Sequence, residues 1–379
     1  MPVVTWPWYA WWRGGRKMSK APQGILHQLG WNSLFADEFR RLESEEWRPY
    51  RVVSQQRDSC TVQGEKGELN AALAGRLRYQ ADDADAYPVV GDWVAVAVSP
   101  REKKGVIQAI LPRQSSFSRK AVGGPTREQV VAANVDTVFL VSGLDGGRNF
   151  NLRSIERYLT VAWNSGAQPV IVLNKADVCD DIPSRVNEAE LVASGVPVHA
   201  VSALTRSGLE SLNAYTAAGS TVALLGQSGV GKSAIINALL GEERQPVRAV
   251  RAGDRRGRHT TTRRELILLS SGGMVIDTPG MREIQLWGEE GALGDAFDDI
   301  ERLAANCRFA DCRHDTEPGC AVREAIQRGD IDAVRFRSYL RLKRELKYLE
   351  ARRHDRTRLE EKERWKKISQ WAKRLRKNK

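Results

Sequence analysis

Four short segments of this chain carry residue types that bind guanine nucleotides. In chain order they are Asn174-Lys175-Ala176-Asp177, Val201-Ser202-Ala203, the run from Gly226 to Ser233, and Asp277-Thr278-Pro279-Gly280. A conventional GTPase domain opens with the phosphate-binding loop and closes with the base-reading Asn-Lys-x-Asp segment. Here the phosphate loop comes third, so the order predicts a circularly permuted domain.

The third segment has the spacing of a Walker A phosphate loop. It follows a predicted strand, 221–225, and precedes a predicted helix, 234–240, which is the context such a loop requires. Its glycines permit positive φ angles and close approach, so that backbone N–H groups surround the phosphates at a helix N-terminus. We expect Lys232 to contact the β and γ phosphates and the Ser233 hydroxyl to bind Mg²⁺. The loop residues are Gly226, Gln227, Ser228, Gly229, Val230, Gly231, Lys232 and Ser233.

The first two segments are typical of base recognition. Asp177 follows a predicted strand, 170–173, at the end of a parallel sheet where ligands bind. Its carboxylate can accept hydrogen bonds from N1–H and the exocyclic amine of guanine, which adenine does not offer, so we expect GTP rather than ATP. Alone, such a tetrapeptide is as often a solvated polar turn. Ser202 and Ala203 follow a later strand, as the second base-side loop does in GTPases, and favour the nucleotide site.

The fourth segment and the stretch before it carry the residues expected at the γ phosphate. Asp277 can hold Mg²⁺ through water, and Gly280 can offer a backbone N–H. Met281 follows, where many GTPases have a water-orienting Gln, which predicts slow hydrolysis by the protein alone. His259 either orients the attacking water in place of Gln or is an exposed polar residue of a flexible loop. One of the hydroxyls that follow it should complete the Mg²⁺ shell in the GTP state: Thr260, Thr261 or Thr262.

Three of the five cysteines lie close together beside a histidine. Cys307-x4-Cys312-x-His314-x5-Cys320 offers three thiolates and one imidazole, enough for a tetrahedral structural Zn²⁺ site. An odd, clustered count argues against a disulfide framework, and the alternative to a metal site is a set of buried free thiols. Four protein ligands leave no open position, so we expect the metal to support folding rather than catalysis.

The basic excess of the chain lies at its C-terminal end. The net charge is +12, and residues 331–379 alone hold 19 Lys and Arg against 7 Asp and Glu, so the remainder balances at zero. Such a tail predicts contact with a polyanion such as RNA; the alternative is a solvated helix face on which Glu side chains pair with neighbouring cations. No run approaches the roughly 18 apolar residues that cross a bilayer. We expect a soluble, cytoplasmic monomer with no membrane partner.

Hydrophobic patterning predicts a multidomain α/β protein. Five short apolar runs between residues 50 and 112 suggest a small β-barrel, for which an oligonucleotide-binding barrel and an SH3-like barrel fit nearly equally. From residue 135 onward, buried strands alternate with helices in a doubly wound layout. The expected division is an extension and lead-in helix, a barrel, a permuted GTPase domain, a helical zinc-binding domain and a basic helix, over 1–47, 48–112, 113–291, 292–335 and 336–379.

A barrel, a permuted GTPase core and a Cys-Cys-His-Cys module in this order resemble the RsgA family, also called YjeQ, over roughly residues 25–350. The resemblance implies that the barrel is of the oligonucleotide-binding type. It also implies a bacterial cytoplasmic GTPase that binds the maturing small ribosomal subunit and its rRNA, is stimulated by it and acts as a late checkpoint. The Trp-rich first 17 residues and the tail beyond residue 350 have no counterpart in the family pattern.

Two other functions compete with a subunit-stimulated GTPase. The first is an RNA-binding assembly chaperone that uses GTP as a structural ligand without meaningful turnover, an alternative that Met281 keeps open. The second is a general NTPase acting on other RNA, which Asp177 disfavours. Turnover measured with and without ribosomal subunits distinguishes the chaperone from a subunit-stimulated GTPase. Equal affinity for ATP and GTP would favour the general NTPase.

Overall fold

The computed structural model describes residues 24–56, 59–80, 87–99, 104–120, 128–146, 149–242, 264–277 and 291–351. The Trp-rich start and the basic tail beyond residue 351 therefore lie outside the described residues. None of the helices within these ranges is long and apolar enough to span a membrane.

The described chain begins with two short helices, α1 Ile25–Gln28 and α2 Ser33–Arg40, where the sequence suggested one helical lead-in. Gly30 separates them with φ +84°, and a Cβ there would lie 2.8 Å from the carbonyl oxygen of Gly219. The Asn32 side chain then caps α2 by accepting a hydrogen bond from the Phe35 N–H. Close packing at Gly30 thus requires a break that helical periodicity alone does not reveal.

The next five strands close into a barrel with the order β1-β2-β3-β5-β4, and β1 pairs with β4 to complete it. β3 and β5 run parallel and the other pairs antiparallel. This arrangement confirms the oligonucleotide-binding type over the SH3-like alternative. The elements are β1 Trp47–Gln55, β2 Ser59–Gly64, β3 Gly67–Leu73, α3 Gly75–Gln80, β4 Trp93–Ser99 and β5 Lys104–Ile110.

A two-stranded hairpin, β6 Ser116–Lys120 and β7 Glu128–Ala133, leads from the barrel into a six-stranded portion of sheet. The strand order there is β10-β9-β8-β11-β13-β12, and all neighbours are parallel except β12 with β13. Its elements are β8 Thr137–Gly143, α4 Leu152–Ser165, β9 Gln168–Asn174, α5 Ile182–Val192, β10 Val198–Ala200, β11 Thr221–Leu225, α6 Lys232–Leu240, β12 Arg264–Leu268 and β13 Met274–Asp277.

Both faces of the parallel strands are covered, as a doubly wound sheet requires. All seven residues of β8 are buried. On one face Ile155 and Leu159 of α4 pack against the sheet, and on the other Ile235 and Ile236 of α6 do so. This covering explains why these strands are continuous apolar runs in the sequence.

The barrel and the parallel strands form one continuous eleven-stranded sheet. β12 pairs with β13 on one side and, antiparallel, with the end of β1 on the other, through Ser54 opposite Glu265 and Gln55 opposite Arg264. The Arg264 guanidinium also donates to the Gln55 amide oxygen over 3.1 Å. The strand that follows the His259–Thr262 segment is therefore shared with the barrel.

Four helices follow: α7 Gly291–Ala296, α8 Asp298–Ala304, α9 Ala321–Arg328 and α10, residues 333–351. Of these, α7 packs against α4, and α10 is joined to it by ion pairs. The fully buried Glu156 carboxylate of α4 accepts a hydrogen bond from the Arg335 guanidinium over 2.9 Å, and Arg335 also pairs with Asp299. At the next residue of α4, Arg157 pairs with Glu345 through two hydrogen bonds. These pairs dock the C-terminal helices onto the GTPase-like sheet.

A buried arginine joins the barrel to the rest of the chain. The Arg51 side chain is 2% exposed and donates to the backbone carbonyl oxygens of Leu29, Gly91 and Asn134, which belong to three separate segments. Burial lowers the pKa of Arg51 to about 10, opposed by the nearby charges of Asp136 and Asp92. The guanidinium therefore joins three segments through their backbone carbonyl oxygens, of which that of Gly91 also accepts from the Asn134 amide.

Replacing Arg51 by Met should destabilise the protein by roughly 3 kcal/mol or more, because three buried carbonyl groups would lose a charged donor at about 1 kcal/mol or more each. The free energy of unfolding from denaturant titration measures this. The matched control is Arg48→Met on the same strand, where the side chain is exposed and the effect should stay within about 0.5 kcal/mol. Equal stability of the two variants would contradict the assigned role of Arg51.

Candidate functional site

The Gly-rich loop lies between β11 and α6, at the carboxyl edge of the sheet. Gly226, Gly229 and Gly231 have φ angles of +150°, +88° and +96°. A Cβ at Gly226 would lie 2.3 Å from the Val141 carbonyl oxygen, and one at Gly231 would lie 2.2 Å from the Asn174 amide nitrogen. Glycine is therefore required at both positions, and the loop leads directly into the N-terminus of α6, a position at which phosphate groups commonly bind.

Lys232 begins α6 and bends back over this loop. Its ammonium donates to the carbonyl oxygens of Gly226 over 2.7 Å and Gln227 over 2.6 Å. The residue is 8% exposed, and these two hydrogen bonds hold its positive charge beside the loop. A cation, a helix N-terminus and a glycine cradle at one point form an anion site that fits a polyphosphate chain.

The buried Asn174 side chain connects the base-reading segments to the phosphate loop. Its amide nitrogen donates to the Val230 carbonyl oxygen over 2.9 Å, and its amide oxygen accepts from the Ala203 N–H over 3.0 Å. Three segments that are well separated in the sequence are thereby held at one edge of the sheet. The sequence places these segments in a permuted order, and the folded chain brings them together.

Asp177 and Ser202 also meet. Asp177 lies in a short 3₁₀ turn, Ala176–Val178, directly after β9 and Lys175. The Ser202 hydroxyl donates to the Asp177 carboxylate over 2.5 Å and accepts from the Thr205 N–H over 3.1 Å. These contacts hold the carboxylate in one orientation, which is the property needed to read a base edge.

The two residues expected to bind Mg²⁺ lie on neighbouring elements. Ser233 follows Lys232 in the first turn of α6, and Asp277 ends β13, the strand that pairs in parallel with the phosphate-loop strand β11. Both positions therefore face the same edge of the sheet. The remaining predicted site residues lie outside the described residues: His259, Thr260, Thr261, Thr262 and Gly280.

Sequence reasoning missed Asp145, which lies just beyond the end of β8. Its carboxylate accepts a hydrogen bond from the Lys175 ammonium over 2.6 Å and from the Asn149 amide at both oxygens. The available signal was an acidic residue two positions after the end of the buried strand that pairs with β11. Nothing in a recognised motif marks that position.

The side chains of Cys307, Cys312, His314 and Cys320 converge, with all four ligand atoms within 4.8 Å of one another. The His314 Nδ1 lies 3.6 Å from the Cys307 sulfur and 3.4 Å from the Cys320 sulfur, and the two sulfurs are 3.9 Å apart. A tetrahedron with metal–sulfur bonds of about 2.3 Å and a metal–nitrogen bond of about 2.0 Å has edges of about 3.5 to 3.8 Å. The cluster can therefore hold a metal ion.

The loop that carries these ligands is held in shape by Glu317. Its carboxylate accepts hydrogen bonds from the backbone N–H groups of Arg313, Asp315 and Thr316. Backbone N–H groups, including its own, lower the pKa of Glu317 to about 2, so the carboxylate stays charged. Burial and the nearby Lys343 lower the pKa of His314, which keeps its ring neutral at pH 7, as a metal ligand requires.

Comparison with known proteins agrees with this geometry. A family model described as RsgA GTPase matches residues 110–287. A protein of Opitutus terrae named small ribosomal subunit biogenesis GTPase RsgA is 46% identical over 354 residues, which cover 91% of this chain and 96% of that relative. One of Oceanobacillus iheyensis, named small ribosomal subunit biogenesis GTPase RsgA 1, is 45% identical and covers 86% of this chain and 93% of its own length.

Solved structures show the same architecture. YjeQ from Thermotoga maritima is 31% identical, with a TM-score of 0.60, covering 79% of this chain and 98% of its own. YloQ, described as a circularly permuted GTPase, is 24% identical with a TM-score of 0.58 over 80% of this chain and 96% of its own, and shows the fold alone. Because curated relatives above two-fifths identity align with nearly the whole chain, this protein belongs to the RsgA family of circularly permuted GTPases.

Proposed function

We propose that this protein hydrolyses GTP to GDP and phosphate on the maturing small ribosomal subunit and acts as a late assembly factor that hydrolysis releases. The observation that carries the proposal is the Asn174 amide, which joins the base-reading loops to the phosphate loop at one edge of the sheet. The names of the relatives, all small ribosomal subunit biogenesis GTPases, support the choice of partner.

Each predicted site residue has a role in this proposal. The Lys232 ammonium and the loop N–H groups neutralise the charge that develops on the β and γ phosphates. Ser233 and Asp277 would hold Mg²⁺, which would supply further positive charge beside the phosphates. Asp177, held by Ser202, reads guanine. Lys232 moves from its own loop carbonyls to the phosphates when the nucleotide enters.

Slow hydrolysis by the protein alone follows from the segment after β13. Met281 occupies the position where many GTPases orient water with Gln. In this proposal His259 orients the attacking water, and one hydroxyl among Thr260, Thr261 and Thr262 binds Mg²⁺. Gly280 offers its backbone N–H to the γ phosphate. Binding of the subunit to the barrel acts on the catalytic segment through strand β12, which pairs with β1 of the barrel. The chaperone that binds GTP without turnover is disfavoured by the complete phosphate loop.

The metal in the Cys-His cluster is structural Zn²⁺, since three thiolates and one imidazole at these distances suit it. The protein acts in the cytoplasm as a monomer that contacts rRNA through the barrel, the metal module and the basic tail. Its units are an extension and lead-in (1–47), the barrel (48–112), the permuted GTPase domain (113–291), the zinc-binding domain (292–335) and the basic helix (336–379).

GTP hydrolysis should rise strongly with small ribosomal subunits and stay at the basal rate with large subunits. The measurement is phosphate release by the full chain alone and with each purified subunit. A flat, low rate in all three conditions would instead support the chaperone that uses GTP as a structural ligand.

Lys232→Ala should lower subunit-stimulated hydrolysis by roughly 100-fold or more, because a buried cation aimed at the transferring phosphoryl group is lost. Arg185→Ala on the outer surface of α5 serves as the control and should stay within about twofold of the parent protein. Stimulated turnover that survives in Lys232→Ala would refute the site assignment.

Elemental analysis should find close to one zinc per chain, and Cys320→Ser should abolish it and lower the thermal midpoint, because a structural zinc site contributes folding free energy directly. The control is Cys179→Ser, at a half-buried cysteine outside the cluster. A metal-free parent protein with an unchanged melting temperature would remove the zinc assignment.

A further inference from the structure

Asp145 occupies the point that a guanine nucleotide must cross. The base-reading loops follow β9 and β10, and the phosphate loop follows β11, while β8 lies between β9 and β11 in the sheet. A nucleoside that joins a base at the first loops to phosphates at the second therefore passes over the carboxyl end of β8. Asp145 and Asn149 lie in the loop that leaves this end.

Close contacts hold the Asp145 carboxylate in place. The Asn149 amide donates to its two oxygens over 2.9 and 3.0 Å. The Leu144 N–H donates to the Asn174 carbonyl oxygen over 2.8 Å, which ties this loop to the base-reading segment. A Cβ at Gly143 would lie 2.8 Å from an Asp145 oxygen, so glycine permits the close approach.

The partner of Asp145 is Lys175, the second residue of the base-reading segment. Its backbone has φ +67°, a conformation that non-glycine residues adopt at an energetic cost. Its ammonium lies 2.6 Å from Asp145, and the two side chains are only 24% and 28% exposed, so the pair is better shielded than an ordinary surface ion pair. The methylene stem of Lys175 therefore runs from the loop after β9 to the loop after β8.

We propose that Asp145 is a positioning residue for the nucleotide, which anchors the Lys175 ammonium so that the methylene stem forms an apolar wall against the nucleoside. This inference rests on the proposed GTP-binding function and adds a residue to it. Fixing the stem before binding removes the cost of ordering a long side chain when the nucleotide enters. Partial burial acts to raise the pKa of Asp145, but hydrogen bonds from Lys175 and Asn149 hold that pKa below its usual value. The carboxylate that anchors Lys175 therefore stays charged.

The test is the affinity of the full chain for GTP, GDP and Mg²⁺-tripolyphosphate, the last of which lacks a nucleoside. Asp145→Asn keeps the shape and removes the charge, and it should weaken GTP and GDP binding equally, by about tenfold, as expected for loss of one charge-assisted hydrogen bond. Tripolyphosphate affinity and the turnover number at saturating GTP with small subunits should stay within about twofold of the parent values.

Two further variants sharpen the result. Lys175→Met keeps most of the stem and loses the ammonium, and it should cause the same loss, with no further loss in the double variant because the two residues act as one unit. The control is Glu188→Gln, which removes the charge from a similar pair with Arg185 on α5 and should bind nucleotide as the parent does.

The outcomes separate this inference from the proposed function. A parent protein that fails to bind GTP refutes the proposed function. A parent that binds GTP while Asp145→Asn binds equally well overturns the positioning role. Equal weakening of GTP and tripolyphosphate binding in Asp145→Asn overturns it too, because the substitution would then distort the loops rather than the nucleoside wall.

Discussion

The arrangement of the candidate site depends on one buried amide. Asn174 donates to the phosphate loop at Val230 and accepts from the second base-side loop at Ala203, and the residue is only 2% exposed. A buried amide that lost either partner would leave a polar group unsatisfied at a cost of about 1 to 3 kcal/mol. The contact also explains the glycine at 231, since any side chain there would occupy the position of the Asn174 nitrogen. Circular permutation leaves this geometry intact because it changes the connections and not the edge at which the loops meet.

Permutation does change what is attached to the site. β12, which follows the His259–Thr262 segment, pairs antiparallel with β13 and also with β1 of the barrel. On the other side, the first turns of α4 carry Glu156 and Arg157, which bind Arg335 and Glu345 of the C-terminal helices. The nucleotide edge is therefore flanked by two modules, each joined to it by backbone pairing or by shielded charge pairs rather than by a loose linker. These contacts connect the candidate nucleotide site directly to both modules.

Elements with strong local patterns could be predicted from the sequence. A strand buried on one face alternates apolar and polar residues, and a strand buried on both faces is a continuous apolar run. The five barrel strands and the buried strands of the parallel sheet could be predicted from these two patterns. The hairpin formed by β6 and β7 and the strand β12 were missed, since each is short and is defined by its partner rather than by its own pattern. The break at Gly30 was missed for a similar reason, because it is required by contact with Gly219, which lies far away in the chain.

The sequence by itself determined which chemical groups this protein can offer. The phosphate loop, the base-reading segments and the cysteine cluster are each defined by residue types at a fixed short spacing. Residues so close in the chain are brought together by local backbone geometry, so these motifs can be read without the fold. The tertiary structure decided how they combine. It closed the barrel by pairing β1 with β4 and brought the three ligand segments to Asn174. It also placed Asp145 against Lys175. These contacts join residues far apart in the chain, and hydrogen bonding and packing across such distances leave no periodic or spacing signal in the sequence.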